Sequence, residues 1–408
     1  MPQFESLENK LMNIVRKPIY IHVTIFIIIY IVLSLISTWL QLIGKFPPRY
    51  DIFWFDNAIY NTLHGNGFFT ILPDHYSISV KNLYPLISHF HQHNQPILFF
   101  LLPIYDIFQS VYTLFIVQSI FIGLAAIPLY LVGKEVLDEI SGKIIAISYL
   151  IYPFVFWNSL LFYPESITPF FIFLMIYFYI KEKFWLFCLS FFFVLILKED
   201  LPVVLFPLGL YLLYDAYKEK YFSQNITGRL KYLLLIIIIS PLYFIFSFKI
   251  IIAHFTGGAY SFTSLRYGQF GNSVSEIVRN AIVKPGLFTK YIASERTLFY
   301  LIQMLLQISF VPLLSITTFA VGMPTILENV LANTITQTVF TEHYQFGLTT
   351  VLFLSTIVGF AKIRKKNLEN YEIWKIRFMY LSIFWFIIFL VIRVYLFSSP
   401  LNYTINLY

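Results

Sequence analysis

The sequence predicts an all-α polytopic transmembrane helix bundle of about eleven spans, because apolar runs long enough to cross a ~30 Å hydrocarbon layer recur from end to end. Composition agrees. A chain that is 58% hydrophobic, only 12% charged and carries 46 Phe cannot hide its apolar residues inside a water-soluble shell. The runs are continuous, not alternating, which excludes a transmembrane β-barrel.

In chain order the expected spans are roughly 19–43, 110–133, 144–161, 166–180, 184–197, 201–217, 232–253, 297–315, 317–332, 347–361 and 373–397. A polar amphipathic stretch precedes the first run, and no small-residue cleavage site follows it, so it reads as a retained span and not a signal peptide. Residues 96–108 read as a shorter interfacial or re-entrant helix. With the N-terminus cytoplasmic, most of the 28 Lys and Arg fall in short inner segments such as "KEKYFSQNITGRLK" and "KIRKKN", as the positive-inside rule requires. The net charge of +7 is then a matter of topology and anionic lipid, and excludes nucleic acid as the expected partner. Cys188 stands alone inside a span, so disulfides play no part. No repeat or linker divides residues 1–408, which read as one integral membrane domain with large outer loops at about 44–95 and 254–296.

Those outer segments collect the polar chemistry. "PPRYDIFWFDNAIYNTLHGNGF" reads as a helix from Asp51 to Leu63 closed by Gly65, with Asp51 at its N-terminus and Asn57, Asn61 and His64 on one face. An amphipathic helix lying on the bilayer would look similar. "SHFHQHNQP" puts His89, His91 and His93 at alternate positions between Pro85 and Pro96. The prolines favour an extended segment, on which alternate residues share a face. A metal site, a surface for a phosphate or carboxylate, and polar loop filler all fit.

Charged residues near short spans are default functional candidates, since each costs about 2.5–3.5 kcal/mol on insertion scales. "ILKEDLP" places Lys198, Glu199 and Asp200 between two runs of about 14 residues, or ~21 Å of helix, so the trio is expected below the outer surface. A short hairpin with a self-neutralised lysine is the other reading. "LLFYPESITP" sets Glu165 at an outer turn, where it could simply complement a helix dipole. Glu328, beside Asn329 and Asn333, lies in the outer half of its span.

"YDIFWFDNAIYNTLHGNGF", "HNQPILFFLLPIYDIF", "YPE", "KED", "RYGQFGNS" and "EHY", in this order over about residues 48–360, resemble a prokaryotic membrane-protein family, domain of unknown function 2079. That family is grouped with the GT-C superfamily of membrane glycosyltransferases. The resemblance implies a GT-C-like bundle with short interfacial helices, which carries a catalytic acid in its first outer loop. Asp51 and Asp56 fall at that position. It implies substrate-binding roles for His93, Glu165, Lys198, Glu199, Asp200, Arg266, Tyr267, His343 and Tyr344. The sequence departs from the family at Tyr163, where His usually precedes Pro-Glu, and at Phe53, where Gly usually follows the early Asp.

The implied activity is transfer of a sugar from a polyprenyl-phosphate donor to an acceptor glycan, lipid or protein at the extracellular face of the cell membrane. An aspartate would serve as general base. Lys198, Arg266 and His93 would meet the lipid phosphate. A divalent metal ion bridging phosphate and carboxylates is the one cofactor expected. The alternative is a transporter or lipid flippase using Lys198, Glu199, Asp200 and Glu328 as a relay. A non-catalytic scaffold that binds glycolipid is a third reading.

Overall fold

The computed structural model describes residues 19–44, 51–71, 87–223, 225–257 and 266–398. The amphipathic stretch before the first span lies outside these residues. The helices are α1 (Ile19–Leu42), α2 (Asp51–Leu63), α3 (Leu98–Ile107), α4 (Val111–Leu124), α5 (Ala126–Val136), α6 (Glu139–Leu150), α7 (Pro153–Asn158), α8 (Thr168–Ile180) and α9 (Phe184–Leu197). They continue with α10 (Pro202–Tyr214), α11 (Ile226–Phe246), α12 (Val274–Val283), α13 (Pro285–Ile292), α14 (Glu295–Leu306), α15 (Met323–Leu331), α16 (Phe346–Lys366) and α17 (Leu368–Ser398). A two-residue hairpin pair, β1 (Thr70–Ile71) and β2 (Ile87–Ser88), runs antiparallel with Thr70 opposite Ser88.

Among the described residues, six helical stretches are long and apolar enough to cross a membrane, and Leu98–Ile107, Pro164–Ile180 and Phe184–Leu197 are shorter apolar helices. Several of the expected spans are therefore broken or short. The run 144–161 divides where Pro153, at the first turn of α7, starts a new helix. The stretch Val311–Leu331 is interrupted by 3₁₀ turns at Val311–Ser315 and Ala320–Gly322. Irregular backbone at membrane depth needs internal partners. Ser355 of α16 supplies them, donating to the carbonyls of Pro312 (2.8 Å) and Ser315 (3.1 Å). α16 is buried along almost its whole apolar length and forms the axis of the bundle.

Two hydrophobic clusters result. The larger fills the helix bundle. The smaller joins Ile52, Phe55 and Ile59 of α2 to Phe69, Phe90, Leu98 and Phe162, and so caps one end of it. The cap is built by α2. Asp51 starts that helix, and Gly65 (φ 71°) ends it with Asn66 N–H reaching back to Asn61 O (2.8 Å), a Schellman closure. Asn61 and Thr62 then hold the returning strand, with Asn61 Nδ2 donating to Thr70 O and Phe69 N–H to Thr62 Oγ1, both at 2.8 Å. Asn61 is thus a structural clamp.

Polar contacts separate into two layers. At the cap end, residues of the expected outer segments meet one another: His93 with Glu199, Glu165 with Lys198, and Arg266 with Tyr344. At the other end, the expected inner segments pair among themselves. Lys181 meets Glu135 (2.7 Å), Arg229 meets Glu182 (3.2 Å), Lys362 meets Glu219 (3.0 Å), and Tyr371 meets Asp138.

Helix association in lipid depends on close packing more than on the hydrophobic effect, and small residues permit it. α5 and α6 meet at Gly133 and Gly142, where a Cβ on Gly142 would lie 2.7 Å from Tyr130 O and 2.8 Å from Lys134 N. Both obstacles are backbone. Gly142→Leu should lower the thermal unfolding midpoint of the purified protein in detergent, by an overpacking penalty of ~1–3 kcal/mol or more. Gly286→Ala, with open space at its Cβ, is the control that should leave the midpoint unchanged.

Candidate functional site

The site begins where β2 ends. Ser88 Oγ accepts from Phe90 N–H (3.2 Å) and closes a 3₁₀ turn over His89–His91, while Gln92 and His93 N–H both reach His89 O. The extended histidine face expected from the sequence does not form, because strand pairing stops at Ser88. His89 and His93 go to different partners, and His91 joins neither.

His89 is buried. Its Nδ1 accepts from Trp54 Nε1 (2.9 Å), so its Nε2 carries the proton and donates to Gln95 Oε1 (2.8 Å). Gln95 in turn donates to Glu165 Oε2 (2.9 Å). Burial pulls the His89 pKa down to about 3, so the ring stays neutral. Two residues on, His93 Nδ1 lies 2.7 Å from Glu199 Oε1, whose other oxygen accepts from Asn94 N–H (2.9 Å). Asn94 also donates to Ser247 Oγ (2.8 Å), which ties this turn to the end of α11.

The "KED" turn connects α9 to α10. Lys198 leaves α9 in extended conformation, and Pro202 starts α10. Lys198 is 4% exposed and its Nζ meets Glu165 Oε1 (3.1 Å) and Asp200 Oδ2 (3.0 Å). Burial works against the ammonium, but Asp200, Glu165 and Glu199 together outweigh it and hold the lysine charged. Glu165 lies in a buried 3₁₀ turn ahead of α8. It is more than a dipole partner. Its carboxylate also lies 3.5 Å from His343 Nε2.

The His343 ring stacks on Tyr163 (3.5 Å between centroids) and lies tilted against Tyr344 (4.1 Å). Tyr163 OH donates to Asp51, so a continuous line runs from exposed Asp51 through Tyr163 and His343 to Glu165 and Lys198. Across the site, Arg266 lies over the Tyr344 ring (5.1 Å) and donates to its hydroxyl (3.3 Å), while Lys198 lies 5.7 Å from the same ring. Tyr267 OH donates to Glu328 O (3.1 Å) and so joins its segment to α15.

Most of the residues singled out in the sequence are brought together here. Asp56 is not. It accepts from Tyr105 OH (2.5 Å) on another face of α2, and burial raises its pKa. The ~140° that separates Asp51 from Asp56 on a helix sends them to different partners. Reading the sequence missed Trp54, Asn94, Gln95 and the linking role of Tyr163. "HNQP" held the signal for two of these, since amides beside a Pro at the edge of an apolar run need buried partners. Among the described residues no group of three or more His, Cys, Asp and Glu is arranged to hold a metal. The histidine turn gives no such set: the His89 and His93 rings lie 5.9 Å apart between centroids but are taken by different partners, Gln95 and Glu199.

Burial and then Asp200 push Glu199 up to about 8, and burial and then Lys198 pull His93 down to about 3. The two meet as a protonated acid and a neutral imidazole. A carboxyl whose folded pKa is raised from 4.5 contributes stability fully present below pH 4.5 and lost as pH rises through 8. Glu199→Gln, which keeps a donor to His93 at all pH, should therefore flatten the fall in thermal stability across that window. An unchanged pH profile in this variant would mean that Glu199 is ionised in the folded protein.

A family model described as a predicted membrane protein, DUF2079, matches residues 46–407 and takes in every residue of this network. No curated protein matches the chain. With the match covering most of its length, the chain belongs to the DUF2079 family of predicted membrane proteins.

Proposed function

We propose that the chain is a membrane glycosyltransferase that moves a sugar from a polyprenyl-phosphate donor to an acceptor glycan, lipid or protein at the outer face of the membrane. The observation that carries this reading is one polar site under the cap with an exposed carboxylate, Asp51, at its edge and two cations, Lys198 and Arg266, sharing the ring of Tyr344 farther in. Glycosyl transfer needs both poles. The acceptor oxygen attacks the anomeric carbon, its proton passes to a carboxylate, and the sugar–phosphate bond breaks with its electrons going to phosphate oxygen. Asp51 is the base in this reading. Arg266 is the better phosphate ligand, because Lys198 already lies between two carboxylates and a guanidinium presents a planar fork of donors. His93 lines the same side. In this reading the Lys- and Arg-rich end of the bundle faces the cytoplasm and the site faces outward, and the donor's hydrocarbon tail would lie in the surrounding bilayer.

The interrupted span Val311–Leu331 favours a second reading, a transporter or flippase, since broken helices flank transporter binding sites. Purified protein in liposomes, supplied with radiolabelled polyprenyl-phosphate sugars, separates the two. Transfer predicts labelled product together with free polyprenyl phosphate. Gradient-driven flux without turnover would assign transport instead.

Asp51→Asn keeps size and hydrogen bonding but removes the basic oxygen, so turnover should fall by roughly 10²-fold or more with donor binding retained. Asp56→Asn, which alters only the contact with Tyr105, should be milder; the reverse ranking would exchange their roles. Arg266→Ala should weaken donor binding, measured by retention of labelled donor on the protein, without lowering the thermal midpoint. Equal donor retention would remove Arg266 from the phosphate pole.

A further inference from the structure

Beside the site lies a small cleft lined by Asp200, Thr325, Glu328, Asn329 and Tyr344. Its carboxyl groups are unevenly partnered. Among the described residues the site sets the carboxyl groups of Glu165, Glu199, Asp200 and Glu328 against the cations of Lys198 and Arg266. Glu165 and Asp200 flank Lys198, and Glu199 is met by Asn94 N–H and His93. Glu328 has Lys198 and Arg266 only as electrostatic neighbours, alongside the carboxyl groups of Asp200 and Glu199. No described residue gives its carboxyl group a hydrogen bond or an ion pair. A second, independent feature points into the same cleft. Thr325 is 6% exposed and its Oγ1 is buried without a hydrogen-bond partner. Unmet buried hydroxyls and carboxylates cost free energy unless something binds them.

We propose that this cleft binds a hard divalent cation through Asp200, Glu328 and the Thr325 hydroxyl. The donors are all oxygen, with neither His nor Cys lining the cleft, which selects for the Mg²⁺, Mn²⁺ and Ca²⁺ class over zinc. The inference deepens the proposed transfer reaction and rests on it for one consequence. A bound divalent ion would be the largest local charge in the site, and its positive field would add to that of Arg266 where the donor phosphate sits. Tyr344 lines this cleft and also stacks under Arg266, so the ion and the arginine would lie on adjoining sides of one phosphate. Asp200, shared with Lys198, would then join the two cation sites.

The test needs no turnover. Mn²⁺ is titrated into the purified full-length protein in nanodiscs, without donor, and free Mn²⁺ is followed by its six-line electron paramagnetic resonance signal. One saturable site is expected, displaced by Mg²⁺ and untouched by K⁺ or ammonium. Glu328→Gln and Thr325→Val should each weaken it by roughly tenfold or more. Thr325→Val keeps shape and apolar burial, so it covers the case in which the charge change disturbs folding. Mn²⁺ binding that is absent, or equal in wild type and both variants, overturns the site. Displacement by ammonium and not by Mg²⁺ also overturns it, and assigns the cleft to an organic cation. The outcomes separate from those of the transferase reading. Turnover without Mn²⁺ binding removes the ion and keeps the reaction, whereas Mn²⁺ binding with no donor turned over keeps the ion and removes the reaction.

Discussion

The buried ammonium of Lys198 governs the cap end of this protein. An ammonium taken out of water carries a desolvation penalty of several kcal/mol, which only close carboxylates with satisfied remaining oxygens can offset. Here the carboxylates are Glu165 and Asp200, at 3.1 and 3.0 Å. One comes from the turn before α8 and the other from Lys198's own turn. Glu165 is itself held by Gln95 and approached by His343, so two further segments must be in register before the lysine is paired. Removing one partner of such a pair costs roughly 3–5 kcal/mol in general, because the other is left charged and alone. The ion pair thus specifies which turns meet more than it adds net stability.

The cap translates that requirement into shape. Its small apolar cluster lies at the end of the bundle, where burying Phe55 or Phe162 is worth ~1.5–3 kcal/mol each against water. The hydrogen-bonded series Trp54–His89–Gln95–Glu165 fixes how the cap sits over the ion pair. Every member is neutral except the last. Neutral relays suit this position, since they orient Glu165 without adding charge to a site that already holds more acids than bases. Phe55 packs against the His89 ring (5.3 Å between centroids) and the Phe162 ring (5.2 Å), so the apolar and polar parts of the cap share one wall.

Much of this was legible in the sequence. α2 could be bounded because its two ends carry local signals, an aspartate at the start and a glycine past the end, and both act through backbone geometry. Two short apolar runs marked Lys198 as a charge in need of partners, and it is buried between two carboxylates. The histidines misled, since alternation means one face only while a strand continues, and a single serine hydroxyl ended it. The spans are less regular than hydropathy suggests, for a related reason. Hydropathy registers apolar residues but not where a helix is interrupted, and the 3₁₀ turns of Val311–Leu331 depend on Ser355, more than thirty residues away in α16. Tyr163 reads in the sequence only as a departure from its family. Its hydroxyl on Asp51 and its ring on His343 are long-range contacts that no local pattern encodes.

The two functional readings use the same outer site and differ in what lies beneath it. Passage across the membrane needs polar groups presented along a path from the outer cluster to the inner one. Of the hydroxyls that α16 carries between them, Thr350 and Thr356 donate to carbonyls of their own helix, Phe346 O and Leu352 O, and Ser355 is engaged by the broken span, while Thr349 Oγ1 is buried without a partner. Below, Lys362 holds Glu219 and Thr317 in a closed inner cluster. Hydroxyls committed in this way serve packing. Thr325 is also buried without a partner, and it lies in the cap-end cleft beside Glu328 and Asp200. Its unmet hydroxyl therefore lies on the same side as Asp51 and Arg266, above a middle layer in which three of the four hydroxyls of α16 are already bonded. That arrangement weighs toward chemistry performed at one face over movement between two.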